Sequence, residues 1–231
     1  MKMVAVVLGG GSGSRFGAAR PKQLLPLSGR TLVEHCVSAF SDAPGVDEVL
    51  LVMPPAYHDE VAKLVGDQVS AIISGGETRA DSVRNALRYL AGHYAADDTG
   101  VLFHDAARPL IDQRVIADCV SALRVHDAIG TAVPTADTIV VRTDDGAMSH
   151  VPPRETLMRC QTPQGFRMSV LTRAHELAAA DSDFVPTDDC GVVLRYLPDV
   201  PVHIVQGSER NIKVTYPSDL AIAEVLMSQS G

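Results

Sequence analysis

The stretch from Val4 to Lys22, "VAVVLGGGSGSRFGAARPK", constrains the fold more than any other part of the chain. Val4 to Leu8 is a short apolar, β-branched run, the pattern of a strand buried on both faces of a parallel sheet. Gly9, Gly10, Gly11 and Gly13 end it, and a glycine-rich turn after a strand lets backbone N–H groups approach a phosphate. Two common versions of that device fail on spacing. A dinucleotide fingerprint begun at Gly11 and Gly13 would close on Phe16, one residue before Gly17, and a P-loop needs Gly-Lys-Ser/Thr where Lys22 has Pro21 before it and Gln23 after it. What remains is a glycine loop followed by Arg15 and then Lys22, with Pro21 making the approach extended. Two cations over a row of free N–H groups suit a triphosphate; a surface loop with solvated charges is the alternative.

The chain has 231 residues, 46% of them hydrophobic and 21% charged, enough to bury one large α/β core. With no linker, repeat, low-complexity tract or like-charge block to divide it, residues 1–231 read as one domain. The formal net charge of −8 provides no field for a nucleic-acid backbone, so a phosphate ligand must be held by a few local cations and no nucleic acid is expected. Met3 to Leu8 is too short for a signal-peptide core, and no apolar run approaches the roughly 18 residues of a membrane span. The expectation is a soluble, cytoplasmic protein with no membrane association.

Cys36, Cys119, Cys160 and Cys190 are dispersed, which suggests neither a disulfide framework nor a zinc site. Cys119 shares a helical face with Val115, Ile116, Val120 and Leu123 and reads as a core thiol. The histidines lack metal-ligand spacing, and His35, His58, His126 and His175 read as surface or boundary residues.

Thr31 and Glu34 in "TLVE" form a capping box for a helix to about Phe40. "DEVLLVM", "VSAII" and "GVLFH" read as strands, and "TRADSVRNALRYL" as a helix with Ala80, Val83, Leu87 and Leu90 on one face. The alternation predicts an α/β fold, a doubly wound, mostly parallel sheet with its ligands beyond the carboxyl ends of the strands. Three polar loops then meet: Gly9 to Lys22, Gly75 to Arg79, and "HDAARP" at 104–109. The pattern changes at residues 136–158, where Thr138 to Arg142 and Ala147 to Val151 form a β-hairpin around Asp144, Asp145 and Gly146. Few residues there cover its faces, so it reads as an arm that protrudes from the sheet and packs on a partner. After "QTPQGF" come a helix from Ser169 to about Ala180, another near Asp188 to Arg195, the strand "VHIVQ", and a last helix capped by Ser218.

Asp105 follows a strand beside Arg108, and Ala106 and Ala107 leave room for a ligand against the backbone. An acidic residue there can bind Mg²⁺ on a triphosphate; it can equally be an Asp–Arg surface pair. In "GGETRADSV", Gly75 and Gly76 let the backbone approach a flat base, or simply precede a helix. Lys213 in "NIKVT" and Arg154 in "PPRETL" each read alone as a solvated charge or a ligand contact. There is no Ser-His-Asp order and no H-E-x-x-H. Nucleotidyl transfer to a phosphate acceptor needs neither, because a phosphomonoester is already roughly nine-tenths dianionic at pH 7. The protein need only align it with the α-phosphorus and neutralise the growing charge.

"GGGSGSRFGAARPKQ", "GGETRADSV", "HDAARP", "DTIV", "QTPQGF" and "NIKVTYPSDLAIAE" occur in order over nearly the whole chain. In this combination the sequence resembles the cytidylyltransferases of the nucleotide-diphospho-sugar transferase superfamily, above all those acting on 2-C-methyl-D-erythritol 4-phosphate. The resemblance implies a Rossmann-like nucleotidyltransferase fold and transfer of CMP from CTP to that polyol phosphate, with pyrophosphate released, in non-mevalonate isoprenoid precursor biosynthesis. It also implies a divalent cation such as Mg²⁺ and a homodimer joined by the arm.

By the same resemblance Arg15, Lys22 and Lys213 are catalytic, and Gly9, Gly10, Gly11 and Gly13 wrap the triphosphate. Gly76, Glu77 and Ser82 recognise cytosine, and Asp105 and Ala106 lie at the nucleotide, with Asp105 near the metal. Asp105, Arg108, Thr138, Thr187 and Lys213 hold the acceptor, joined by Arg154 and Thr162 from the neighbouring subunit's arm. Gly9 and Gly10 depart from the Ala-Ala usual in the family and resemble guanylyltransferases that activate molybdopterin; the later motifs favour cytosine. A branch acting on ribitol 5-phosphate shares the "HDAARP"-like and "QTPQ"-like segments. A regulatory module that binds nucleotide without turnover, and an NAD-dependent oxidoreductase, are readings from other classes.

Overall fold

The computed structural model describes residues 1–10 and 20–229, so Gly11, Gly13 and Arg15 of the glycine loop lie outside the described residues. The first strand, β1 (Lys2–Leu8), is buried along nearly its whole length because it has a sheet neighbour on each side and a helical layer on each face. Its odd residues Met3, Ala5 and Val7 enter one core with Val37 and Phe40 of α1 (Leu32–Ser41) and Ile116 and Cys119 of α4 (Gln113–Leu123). Its even residues Val4, Val6 and Leu8 enter the other, with Val83 and Leu87 of α3 (Arg79–Ala91) and Leu171 of α5 (Met168–Ala179). Each buried Val or Leu side chain contributes about 1.5–3 kcal/mol, so a continuous apolar run suits a strand covered on both faces.

Between α1 and α3 lie β4 (Glu48–Met53), α2 (His58–Val65) and β5 (Ala71–Ser74), after the small hairpin of β2 (Pro26–Leu27) and β3 (Arg30–Thr31). Then follow β6 (Thr99–Asp105), α4 and β7 (Ala128–Pro134). The seven-stranded sheet has the order β11-β7-β10-β6-β1-β4-β5, where β10 is Met158–Arg167 and β11 is His203–Gln206. From β1 the chain builds outward through β4 and β5, then crosses to β6 on the other side, which makes the β1–β6 boundary the switch point where ligands bind in doubly wound sheets. Leu8 is in register with Asp105 there.

Thr31 and Glu34 form the expected capping box, and Ala80, Val83, Leu87 and Leu90 are buried on one side of α3. Two expectations need correction, and "QTPQGF", to which the sequence pattern assigns no element, is strand, because the second half of β10 runs antiparallel between β6 and β7, with an irregularity between Cys160 and Gln164. Ser218 does not cap α7 (Pro217–Ser228): Pro217 is its first residue, and Asp219 Oδ2 reaches back to the backbone N–H groups of Thr215 at 2.7 Å and Tyr216 at 2.8 Å. His175 is not a boundary residue but is buried on α5, with Asp189 at the start of α6 (Asp189–Tyr196) as its partner.

The arm is a hairpin of β8 (Val141–Arg142) and β9 (Met148–His150), shorter than the pattern suggested, paired antiparallel outside the main sheet. Gly146 turns it at φ 91°, where a side chain is strained. Every residue from 136 to 151 is exposed, including Ile139, Val140, Val141 and Met148. Among the described residues no helix is long and apolar enough to cross a membrane.

Candidate active site

At the switch point the chain leaves β1 through Gly9, whose N–H donates to Val52 O at 2.7 Å, while Ala106 N–H donates to Leu8 O at 3.0 Å. The first glycine turn is thereby tied to the ends of both β4 and β6. A Cβ on Gly9 would lie 2.1 Å from Met53 Sδ, so in this chain Met53 occupies the space an alanine would need. Gly10 packs on the loop after β5: a Cβ there would lie 3.0 Å from Ser82 Oγ and 3.6 Å from Gly75 Cα. Ser82 is buried and holds that loop, accepting from Gly76 N–H at 3.0 Å and donating to Thr78 O at 3.1 Å. Gly76 has no room for a side chain, because its Cβ would meet Asp81 Cβ at 2.1 Å. Glu77, next to it, is exposed.

Asp105, 8% exposed, is the anionic centre of the site. Lys213 Nζ donates to its Oδ2 at 2.6 Å, and Arg79 Nε to its Oδ1 at 3.4 Å. Burial alone would raise the Asp105 carboxyl, but Arg79, Lys213 and Arg108 outweigh it and hold it well below the usual carboxylate range. Arg79 Nη1 also donates to Asp189 Oδ2 at 2.7 Å, and Asp189 Oδ1 lies 3.0 Å from His175 Nε2. Against burial that would raise it, Arg79 and His175 hold the Asp189 carboxyl low as well. Lys22 Nζ donates to Val214 O at 2.7 Å, which brings the first loop's second cation beside Lys213. Arg108 is anchored by Asn211 O at 2.8 Å and Cys160 O at 3.4 Å, so it contributes charge to Asp105 without bonding to it. Lys22, Arg79, Arg108 and Lys213 exceed the charge of Asp105 and Asp189, and the surplus suits an anionic ligand.

A second chain of hydrogen bonds fixes the backbone. His104 is fully buried, and its Nε2 lies 3.0 Å from Arg108 O, which can only accept. Nε2 therefore carries the proton and Nδ1 is left to accept from Thr162 Oγ1 at 3.1 Å. Thr162 Oγ1 accepts in turn from Asp105 N–H at 3.1 Å. Burial pushes His104 down to about 4, so it stays neutral at physiological pH.

The expected residues fall into two groups. Gly9, Gly10, Gly76, Ser82, Asp105, Ala106, Arg108, Lys22 and Lys213 are connected through the contacts above. Thr138 and Arg154 are apart from them on the exposed arm, where Arg154 Nη2 donates to Thr138 Oγ1 at 2.7 Å. The resemblance grouped Thr138 with Arg108; the structure instead places it with Arg154 on the arm. Thr162 is corrected the other way. It is 5% exposed in β10 and bonded to Asp105 of its own chain, so it is no part of the arm. Thr187 is exposed in the loop before Asp188, whose carboxylate caps α6 through Gly191 N–H at 2.9 Å.

Sequence reasoning missed Arg79 and Asp189 as the carriers of charge behind Asp105, and His104 as the group that orients Thr162. The adjacent "HD" of 104 and 105 was the available signal, since alternate residues at a strand end point to opposite faces.

The strand order, the glycines after β1 and the surplus of cations suit a nucleotidyltransferase, in which a phosphate acceptor brings its own nucleophile. The model of the 2-C-methyl-D-erythritol 4-phosphate cytidylyltransferase family matches residues 3–229. The enzyme of that name from Thermobifida fusca is 49% identical over 98% of this chain and 93% of its own. A bifunctional ribulose 5-phosphate reductase/CDP-ribitol pyrophosphorylase from Haemophilus influenzae is 36% identical, over 97% of this chain and 48% of its own. The crystal structure of the Thermus thermophilus 2-C-methyl-D-erythritol 4-phosphate cytidylyltransferase superposes with a TM-score of 0.78 at 30% identity, covering 99% of this chain and 100% of the other. The chain belongs to the 2-C-methyl-D-erythritol 4-phosphate cytidylyltransferase family.

Neutral His104 links stability to pH. Its value in the fold lies below that of the unfolded chain, so below pH 6.5 the unfolded state takes up a proton that the folded state refuses. Stability is full above pH 6.5 and falls as the pH drops toward 4. By pH 5 the loss should be about 2 kcal/mol, read from urea unfolding. His104→Gln should remove that part of the slope; equal slopes in both proteins would contradict the assignment.

Proposed function

We propose that this chain is a cytoplasmic cytidylyltransferase of one domain that moves CMP from CTP to 2-C-methyl-D-erythritol 4-phosphate in non-mevalonate isoprenoid precursor biosynthesis, working as a homodimer. The observation that carries the reading is Asp105, ionised between Lys213 and Arg79 and in register with the end of β1.

In this reading CTP lies along the first glycine turn, its phosphates on the backbone of Gly9, Gly10, Gly11 and Gly13 and on Arg15 and Lys22. Cytosine reaches Gly76 and Glu77, on the loop that Ser82 holds in shape. The acceptor phosphate is gripped by Arg108, Lys213 and Thr187, with Asp105 fixing Lys213. The dianionic phosphate attacks the α-phosphorus, the bond to the bridging oxygen breaks, and pyrophosphate leaves with the negative charge. Lys22 matters most when that charge builds up. Among the described residues no group of three or more His, Cys, Asp or Glu is placed to hold a metal ion, and both Asp105 oxygens already face cations. A divalent cation such as Mg²⁺ is therefore read as arriving on the triphosphate, with Asp105 the acidic side chain nearest to it.

The dimer rests on the arm. A two-stranded ribbon is marginal alone, and this one exposes Ile139 at 43%, Met148 at 74% and Val151 at 54%. A second copy's arm covers them in a two-fold arrangement, carrying Arg154 and Thr138 together into the partner's acceptor site.

Pyrophosphate release is expected with CTP, a divalent cation and the methylerythritol phosphate. Turnover of ribitol 5-phosphate in its place, or equal turnover with GTP, would overturn the substrate assignment. The crossed arm has its own test. Lys22→Ala should lower kcat by about 10²-fold, and Arg154→Ala should weaken the acceptor site. When the two variants are mixed and reassociated, half the dimers are mixed and each holds one intact site of two, so roughly a quarter of wild-type activity should return. No recovery despite verified exchange would refute the crossing.

A further inference from the structure

Residues 181–188 join α5 to α6, and the two ends of this loop are held in different ways. The far end reaches the site. Asp188 Oδ2 accepts from Gln164 Nε2 at 2.8 Å and from Cys160 Sγ at 3.5 Å, and Cys160 O in turn accepts from Arg108 Nη2. Asp189, the next residue, accepts from Arg79, which also donates to Asp105. Thr187 stands just before this pair and is exposed, so the loop delivers it to the end of the sheet where the cations gather.

The near end is held by a cluster to which neither the sequence motifs nor the reaction described above gives a part. Asp181 Oδ2 accepts from Tyr196 Oη at 2.7 Å and from Arg195 Nη2 at 3.2 Å, and its Oδ1 accepts from Asp183 N–H at 3.1 Å. The Arg195 guanidinium lies 4.8 Å from the centre of the Phe184 ring and 5.6 Å from that of Tyr196, and the two rings meet edge to face at 5.4 Å. Both rings pack on the core that includes Leu171, Ala178 and Val193. An exposed ion pair alone holds little, but this cation also lies over two rings and shares its carboxylate with a phenol. Between Phe184 and Asp188 only Val185, Pro186 and Thr187 remain, with Val185 82% exposed. With both ends fixed, so short a span leaves Thr187 little freedom; with one end released, it can swing about the other.

We propose that Arg195 is a positioning residue for the acceptor: from the exposed side of α6 it fixes the Phe184 end of the loop, and through the loop it sets where Thr187 meets the acceptor phosphate. Arg195 itself touches no ligand. The proposal rests on the reading given above, in which Thr187 grips the acceptor. In that reading CTP lies on the turns after β1 and β5, and no hydrogen bond or ring contact of the cluster reaches either turn. Loosening the cluster therefore weakens acceptor binding and spares the nucleotide.

The test compares KM values for the two substrates by pyrophosphate release, with the wild-type chain assayed first on methylerythritol phosphate and on ribitol 5-phosphate. Turnover of ribitol 5-phosphate alone would overturn the substrate reading, and the variants are then compared on that acceptor, so the two failures stay distinct. Turnover of neither would overturn both. Arg195→Ala should raise the acceptor KM about fivefold, the scale of one exposed ion pair with its cation–ring contact, and leave the CTP KM unchanged. Arg195→Lys keeps a cation for Asp181 and the rings and should recover most of the loss. Tyr196→Phe keeps the ring but loses the bond to Asp181, and should fall between the two. In a Thr187→Ala background, itself raised in acceptor KM, Arg195→Ala should add nothing, because its effect passes through Thr187. An unchanged acceptor KM in Arg195→Ala, equal changes in both KM values, no effect of Thr187→Ala, or a full further loss in the Thr187→Ala background would each overturn the proposal.

Discussion

The site depends on keeping a nearly buried carboxylate ionised. Desolvation of Asp105 opposes its charge, and only paired cations can reverse that. Lys213 and Arg79 supply the pairing from opposite sides, and Arg79 is steadied in turn by Asp189 and His175. Loss of one partner would leave a buried charge uncompensated, which is more damaging than loss of an exposed ion pair. The negative charges thus place the cations, and the cations remain in excess for a phosphate ligand.

The same interactions join distant segments. Asp105 and Lys213 are 108 positions apart, and Arg79 and Asp189 are 110. Lys22 reaches the Lys213 segment through Val214, while Arg108 and Thr162 tie the loop after β6 to β10. The sheet's topology makes this possible, because β6 has β1 on one side and β10 on the other, and the loops of all three emerge near one place. In the proposed reading, ligand binding and the stability of this end of the sheet share residues, with His104 and Thr162 holding the backbone and Arg79 and Lys213 balancing the charge of Asp105.

Much of the fold was legible because its signals are local. The β-branched run ending in glycines marks β1, Thr31 and Glu34 mark the start of α1, and the Asp-Gly turn marks the arm. What misled was also local. Pro163 and Gly165 disguise β10, which gains its strand character from neighbours on both sides. Pro217 was the sign that α7 begins one residue before Ser218. Of the site, the residues lying in glycine and charge motifs could be nominated, but their pairing could not. His175 sits on the buried stripe of Leu171, Ala174 and Ala178, and only the arrival of Asp189 explains a polar ring there.

The account treats Asp105 and Lys213 as one unit, and a double-mutant cycle on affinity for the methylerythritol phosphate tests that most directly. Asp105→Asn and Lys213→Ala, measured singly and together by calorimetry, should be non-additive by about 1 kcal/mol or more, because each substitution removes the other's partner. Additive losses would mean that the two residues meet the ligand independently, and the carboxylate would no longer be what places the cation.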